Sequence, residues 1–250
     1  MTQTRMPKGV LHLIPVPLSE LAEADPAQSL PATVLPIIRE LRHFVVENAK
    51  SARAFLKTVT MPVPIAELDI RELPGRGKLG KTSTNSQELD VLLAPALAGD
   101  AMGLLSEAGC PAVADPGADL VGRAHALGCR VAPHIGPSSL LLGLMASGLG
   151  GQHFAFHGYL PQDDPERQKA IKNLESTSKS ADQTQIVIET PYRNSSLFES
   201  LLKHLRPETR LCVAMALTTP DESIRTLPVS AWRKTPPAFE KRPTVFLFKQ

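Results

Sequence analysis

Short apolar runs alternate along this chain with stretches whose apolar residues recur every three or four positions, which is the rhythm of an α/β protein. "GVLHLIPVP" (9–17) predicts a strand running into a Pro-rich turn. "PATVLPIIRELRHFVVENAKSARAFLKTV" (31–59) has helical spacing around Pro36, with a strand embedded at "HFVVE". "SQELDVLLAPALAG" (86–99) predicts one helix opened by Ser86 as its cap and closed by Gly99. "AMGLLSEAGCPAVADPGADLVGRAHALG" then gives a strand, a loop and a helix ending at Gly128, and "CRVAPHIGPSSLLLGLMASGLG" gives a strand, a Gly-Pro-Ser-Ser turn and an apolar helix.

After Gly151 the texture changes. "HFAFHGYL", "TQIVIETP", "RLCVAMALT" and "PTVFLFKQ" are β-branched or alternating, with helices at about 165–177 and 194–205. Strands in succession with few crossovers predict a mixed sheet, and residues 176–184, "STSKSADQT", read as a solvent loop. The expected organisation is an N-terminal α/β domain over 1–135 and a C-terminal α/β domain over 136–250.

A chain of 250 residues with 42% hydrophobic content can bury a sizeable core. Its 27 basic and 25 acidic residues nearly balance, so the chain is no polybasic module that grips duplex DNA by charge alone. Cys110, Cys129 and Cys212 show no C-x-x-C spacing, which argues against a disulfide framework and a structural zinc site. Basic residues precede the first apolar run, but Pro15 and Pro17 interrupt it and no small-residue cleavage site follows, so it reads as a strand and not as a signal peptide. Nothing approaches the roughly 18 apolar residues a membrane span needs. The expectation is a cytoplasmic protein with no membrane partner and no metal.

"GRGKLGKT", Gly75 to Thr82, fits the Walker A spelling G-x-x-x-x-G-K-[ST]. A working phosphate loop follows a buried strand and runs straight into a helix. Here "AELDIRELP" before it is too charged for a central strand, and turn-rich "TSTNS" follows. A basic surface loop is the preferred reading.

"LLSEAGCPAVADPG", Leu104 to Gly117, carries more information: an apolar strand, then a loop of small residues, with Gly109 and Gly117 allowing close backbone approach and Pro111 and Pro116 fixing the path. Asp115 either binds a ligand or caps the following helix. "HIGPSSLLLGLMASGLG" repeats the arrangement, and two such loops at the ends of adjacent parallel strands would make a ligand crevice. His153 and His157 lie about 13 Å apart if "HFAFHGYL" is a strand, too far for one metal. Cys110 reads as a small loop filler and not a nucleophile. Trp232, among Arg233, Lys234, Lys241 and Arg242, either stacks a base or packs.

"SEAGCPAVADPG" resembles the S-D-A-G-T-P-x-x-x-D-P-G signature of the bacterial ribosomal RNA ribose methyltransferases, within the tetrapyrrole methylase superfamily. "IGPSS" with "ASGL", "FAFHGYLP", "IETPYR" and "ALTTPDESIRT" resemble later motifs in the same order, and "LIPVPLSEL" resembles the first-strand motif P-T-P-I-G-N-L. The resemblance covers roughly residues 100–250, with a weaker match at 9–22. It implies two α/β domains with S-adenosylmethionine in the cleft between them, in a homodimer. Cofactor contacts would come from Pro15 and Pro17, from Ser106, Glu107, Ala108, Gly109, Cys110 and Pro111, from Asp115 if it binds, and from Ser138 and Ser139. Thr190, Ala216, Leu217, Pro243 and Thr244 would complete the set. The dinucleotide fingerprint G-x-G-x-x-G is absent.

The departures fall on the presumed acceptor side. The family's E-D-T-R becomes Glu47-Asn48-Ala49-Lys50, its G-N-L becomes Ser19-Glu20-Leu21, and its H-x-H-N-E region is replaced by the segment holding Gly75–Thr82. The acceptor implied is a ribose 2′-hydroxyl of ribosomal RNA. A tetrapyrrole or other small molecule, and a non-catalytic S-adenosylmethionine-binding protein, stand as alternatives. A hydroxyl acceptor calls for a general base, for which Glu47 and Glu189 are the candidates. Lys50, Arg76, Lys78 and Lys81 are candidates for meeting an anionic acceptor.

Overall fold

The computed structural model describes residues 8–18, 25–74 and 85–250. By its internal contacts the chain divides into two compact units, Met1–Pro137 and Ser138–Gln250.

In the first unit, Val10–Ile14 (β1), His43–Val46 (β2), Asp69–Glu72 (β3), Met102–Leu105 (β4) and Arg130–Pro133 (β5) form an all-parallel sheet in the order β3-β2-β4-β1-β5. The helices are Val34–Glu40 (α1), Ala49–Val59 (α2), Ser86–Leu92 (α3), Ala94–Ala98 (α4) and Ala118–Ala126 (α5). Strand alternation sorts the core into two layers. Ile14, Phe44, Val46 and Leu105 pack with α1 and α2 on one face, while Leu11, Val45, Met102 and Leu104 pack with α3, α4 and α5 on the other. Gly103 makes room for this packing, since a Cβ there would stand 2.9 Å from the Phe44 ring and 3.0 Å from Ile14 Cδ1.

Register aligns the strand ends. Glu72, Val46, Leu105 and Ile14 form one row across the sheet, so the loops after β3, β2, β4 and β1 all leave from the same edge. The connection after β2 runs outward to β3, whereas that after its neighbour β4 runs the opposite way to β5. In parallel sheets this divergence opens a crevice at the carboxyl ends of the two strands.

The second unit contains Ser139–Ser147 (α6), Phe154–Tyr159 (β6), Asp164–Ser180 (α7), Thr184–Ile188 (β7), Asn194–His204 (α8), Arg210–Met215 (β8), Ser223–Pro228 (β9), Val229–Trp232 (α9) and Thr244–Lys249 (β10). Its mixed sheet runs β6-β7-β10-β8-β9, parallel at β6–β7 and antiparallel elsewhere. Residues of α7, α8 and α9 bury Val187, Val213, Phe246 and Phe248 on one face. α6 lies against the other face, where Gly143 faces Ala214 and Leu247 so closely that a Cβ would stand 3.4 Å from each.

Several sequence expectations change. The helix predicted over 86–99 is two helices meeting at Leu93, because Pro95 has no N–H for a continuous ladder. Its cap is Asn85, whose side chain accepts from the Gln87 N–H, and not Ser86. Residues 176–184 are largely exposed but are no continuous loop: α7 extends to Ser180, and Ser178 and Thr184 are both fully buried. Their hydroxyls make that burial tolerable by donating to the Gln183 carbonyl at 2.8 Å and to the Leu149 and Gly150 carbonyls at 3.0 and 2.8 Å. Trp232 is 1% exposed, so it is a core residue and no platform for a base. The indole donates to the Leu211 carbonyl at 2.8 Å, meets Phe198 edge-on, and carries the Arg225 guanidinium 4.9 Å above its ring.

Candidate functional site

Three loops gather at the carboxyl edge of the parallel sheet. Val16, between Pro15 and Pro17, bridges to Gly109 in an antiparallel pair: the Val16 N–H donates to the Gly109 carbonyl at 2.9 Å and the Gly109 N–H to the Val16 carbonyl at 2.8 Å. Pro15, Pro17, Ser106, Gly109 and Pro111 are buried, while Glu107 and Ala108 are exposed. Gly136, in the loop after β5, packs so tightly on Pro15 that a Cβ would fall 2.2 Å from its ring. The Cys110 thiol donates to the Pro137 carbonyl at 3.4 Å. The expectation that β4 and β5 are adjacent is corrected here, because β1 lies between them and its own loop joins theirs.

The signature loop is held from within. The Ser106 hydroxyl lies 3.3 Å from both the Ala108 and Gly109 carbonyls, so it shapes the turn. Gly109 (φ +75°), Ala112 (φ +66°), Ala114 (φ +66°) and Gly117 (φ +128°) all take positive φ. Left-handed backbone is ordinary for glycine and strained for alanine, so the surrounding contacts impose this path. Gly117, and not Asp115, stands at the N-cap of α5, and it makes no side-chain cap bond. Burial and the charge of Asp115 push the Cys110 thiol above its ordinary value, which keeps it protonated and a poor nucleophile.

Beside this loop lies the divergence between β2 and β4. The Glu47 N–H donates to the Leu105 carbonyl at 3.2 Å, extending the ladder by one residue. Its Oε2 accepts from the Glu107 N–H at 3.2 Å, which ties the end of β2 to the start of the signature loop. Glu107 Oε1 in turn accepts from the Ser51 hydroxyl at 3.2 Å. The start of α2 is fully engaged: Asn48 Oδ1 accepts from the Lys50 and Ser51 N–H groups at 2.9 and 3.2 Å, and Glu72 Oε1 accepts from the Ala49 N–H at 2.7 Å. The role of Glu72 escaped sequence reasoning because β3 reads as a charged edge, and only the strand register places its last residue beside α2. Lys50 is exposed in the first turn of α2. Arg76, Lys78 and Lys81, like Ser19-Glu20-Leu21 and the whole Walker A spelling, lie outside the described residues. The strand before that spelling, β3, is the sheet's edge.

In the second unit, Ser138 caps α6 by position without a side-chain bond, and Ser139 begins the helix. Thr190, Ala216, Leu217, Pro243 and Thr244 come together at one end of the mixed sheet. Val245 pairs with Ile188 and Thr244 with Met215, and the Ala216 N–H donates to the Pro243 carbonyl at 2.9 Å. Ala216 (φ +51°) and Thr218 (φ +69°) are left-handed. Asn194, which the sequence did not single out, donates to the Arg242 carbonyl at 2.8 Å and to Thr244 Oγ1 at 3.1 Å, pinning α8 to the start of β10. Glu189 has a side chain only 6% exposed, and its Oε1 accepts from both the Thr190 N–H and Arg193 at 2.7 Å. That makes it a salt-bridge partner at a strand end. His157 faces Gln185 Oε1 at 2.7 Å and His153 faces the Ala181 carbonyl at 2.8 Å. Among the described residues no three His, Cys, Asp or Glu side chains gather as a metal site, and no helix is long and apolar enough to cross a membrane.

No family model matches the chain. Ribosomal RNA small subunit methyltransferase I of Vibrio cholerae is 25% identical over 227 residues, covering 90% of this chain and 71% of that protein. The protein of the same name from Pseudomonas aeruginosa is 27% identical over 228 residues, with 90% and 72% covered. Among solved structures, the methyltransferase CobJ superposes with a TM-score of 0.61 at 16% identity, over 97% of this chain and 94% of that one. Uroporphyrin-III-C-methyltransferase from Thermus thermophilus gives a TM-score of 0.53 at 16% identity, over 96% and 92%. At such identities the structures speak for the fold, while the sequence relatives match across nine tenths of the chain. The chain has the tetrapyrrole methylase fold, and the proteins it resembles in sequence and in structure are methyltransferases that use S-adenosylmethionine as methyl donor.

Proposed function

We propose that the chain transfers a methyl group from S-adenosylmethionine to a ribose 2′-hydroxyl of ribosomal RNA. The observation that carries this reading is the similarity, across nine tenths of the chain, to proteins whose own name is ribosomal RNA small subunit methyltransferase I.

The residues present fit the donor. From Ala108 to Ala114 the signature loop has no charged side chain, and its left-handed turns hold main-chain groups in fixed directions. A cationic sulfonium bound by neutral main-chain groups is not over-stabilised relative to the transition state, in which that charge is lost. Pro15, Pro17 and Ser106–Pro111 would hold the donor from the first unit, and Asp115 would add a carboxylate. The resemblance gives the same role to Ser138, Ser139 and the Thr190, Ala216–Leu217 and Pro243–Thr244 cluster. When bound, S-adenosylmethionine supplies an electrophilic methyl group.

The rest of the chemistry falls to this chain's residues, which align the acceptor oxygen with that methyl and receive the hydroxyl proton. Glu47 is the better base of the two candidates. It stands at the carboxyl end of β2 where the crossovers diverge, and the Glu107 N–H fixes its direction. Glu189 already serves Arg193 and Thr190. A homodimer belongs to the same proposal, with light scattering as its check.

The test incubates purified protein with small-subunit ribosomal RNA and methyl-labelled S-adenosylmethionine, then digests the RNA with alkali. Label in alkali-resistant dinucleotides is expected, and Glu47→Gln should lower that rate by about 10²–10⁴ with cofactor affinity kept. Label that enters a tetrapyrrole and no RNA would overturn the assignment.

A further inference from the structure

Helix α2, AKSARAFLKTV, contains Lys50, Arg53 and Lys57 and no acidic residue, a charge of +3 where the whole chain carries +2. At 3.6 residues per turn the three positions fall within about 60° of one another on the helix surface. The opposite side buries Ala52, Phe55, Leu56 and Val59. All three cations are exposed, and among the described residues none of their side chains has a hydrogen bond or ion pair.

This arrangement works against the helix. Lys50 sits in the first turn, where the macrodipole favours an anion. Lys50 to Arg53 and Arg53 to Lys57 are like-charge neighbours at three and four residues, a spacing at which opposite charges stabilise and like charges do not. A face that only needs to be wetted is ordinarily served by mixed charges. The packing needs none of the three, since Asn48 and Glu72 cap the start of the helix.

The position of the strip is specific. It begins three residues after Glu47, at the divergence of β2 and β4, and leads away from it along the helix. From Lys50 to Lys57 is a rise of about 10 Å, close to three nucleotide steps of about 3.4 Å. Ala54, exposed and small, lies between Lys50 and Lys57 on the helix surface and lets a backbone come close. Arg39, whose Nε donates to the Val59 carbonyl at 3.0 Å, adds a cation at the far end.

We infer that Lys50, Arg53 and Lys57 form a phosphate track for a single-stranded segment of the acceptor RNA, which delivers one ribose to the crevice beside Glu47. The inference rests on the RNA reading above and adds the surface that grips the RNA. Phosphates replace the missing acidic partners.

The test measures binding of the full chain to a fluorescent single-stranded RNA oligonucleotide by anisotropy across a salt series. Arg53→Gln with Lys57→Gln should weaken binding at least tenfold at low salt. It should also flatten the slope of log K against log[salt] by about 1.4, two contacts at about 0.7 each. Melting temperature should not fall, since the like-charge neighbours are relieved, and S-adenosylmethionine affinity should not move. Lys169→Gln with Lys172→Gln, which removes the same charge from the exposed side of α7, should leave the slope unchanged. If the α2 pair leaves the slope intact, or the α7 pair lowers it equally, the track is overturned while the RNA assignment stands. If the unmodified chain binds neither the oligonucleotide nor small-subunit ribosomal RNA at low salt, the RNA assignment falls and the track falls with it.

Discussion

Val16 and Gly109 exchange both of their main-chain hydrogen bonds across the crevice edge, so the loop after the first strand and the signature loop form one unit. The exchange depends on Gly109 being left-handed at φ +75°, with Leu18 Cδ2 only 3.3 Å from where a Cβ would stand. Gly109→Val should therefore cost about 1–2 kcal/mol of stability from backbone strain alone. It should also weaken S-adenosylmethionine by more than that loss accounts for, since the loop must shift. Urea unfolding and calorimetry measure the two effects, and a variant with unchanged stability and affinity would show that the bridge positions nothing.

His12 and His134 share a hydrogen bond, with Nδ1 and Nε2 2.8 Å apart and the ring planes within 15°. Both imidazoles titrate below their ordinary value because burial disfavours the charged ring. For His12 the neighbouring His134 and Arg130 lower it further, and Glu40 opposes them. The unfolded chain thus binds more protons than the folded one below about pH 6.5, down to the lowered folded values. Stability from this pair is full above that pH and declines as pH falls through the window. A double His12→Asn, His134→Asn variant should lose part of the drop in melting temperature between pH 7.5 and 5.5, and a parallel curve would count against the pair.

Trp232→Ala should cost about 3–5 kcal/mol, because it opens a cavity against Phe198 and strips the Leu211 carbonyl of its donor. Trp232→Phe should recover much of this loss. RNA affinity per folded molecule should be the same in Trp232→Phe as in the unmodified chain, because the indole is buried. A specific loss of RNA binding in that variant would restore the stacking role.

Asn48→Ala should cost about 1 kcal/mol through loss of the α2 cap, whereas Asn48→Asp should keep the cap. The E-D-T-R pattern of the ribosomal RNA methyltransferases that this segment resembles carries aspartate there, so this departure is conservative in structure. Thermal denaturation of both variants checks it, and an unchanged melting temperature in Asn48→Ala would mean that the cap bonds contribute nothing.

Strands whose residues are buried on both faces were legible: "GLL" in β4 and "FVV" in β2 could only be interior, even inside a helical pattern. The tight path of the signature loop was legible too, because Gly109, Pro111, Pro116 and Gly117 state backbone requirements directly. Partnerships between distant residues were not. Nothing in the sequence says that Val16 pairs with Gly109, that Glu72 caps α2, or that β1 enters between β4 and β5, since register and strand order set all three. Ser178 and Thr184 misled for a related reason: their polarity reads as solvent exposure until the carbonyls that accept their hydroxyls are located. The signal for the α2 strip was present as three cations without an acid, and it lacked only the face on which to place them.

On the proposed assignment, the opposed crossovers from β2 and β4 place the donor and acceptor residues on separate connections. The loops proposed to hold the donor follow β1, β4 and β5 and brace one another, so a change in any one disturbs all three. The segment after β2 belongs to the outward crossover, joined to the signature loop through the Glu47 carboxylate on the Glu107 N–H and the Ser51 hydroxyl on the Glu107 carboxylate. Substitutions such as Ala49 and Lys50 can accumulate there while the Val16–Gly109 clasp stays shut. An enzyme wired in this way can exchange its acceptor without surrendering its donor, and engineering toward new acceptors should begin on α2 and leave the signature loop alone.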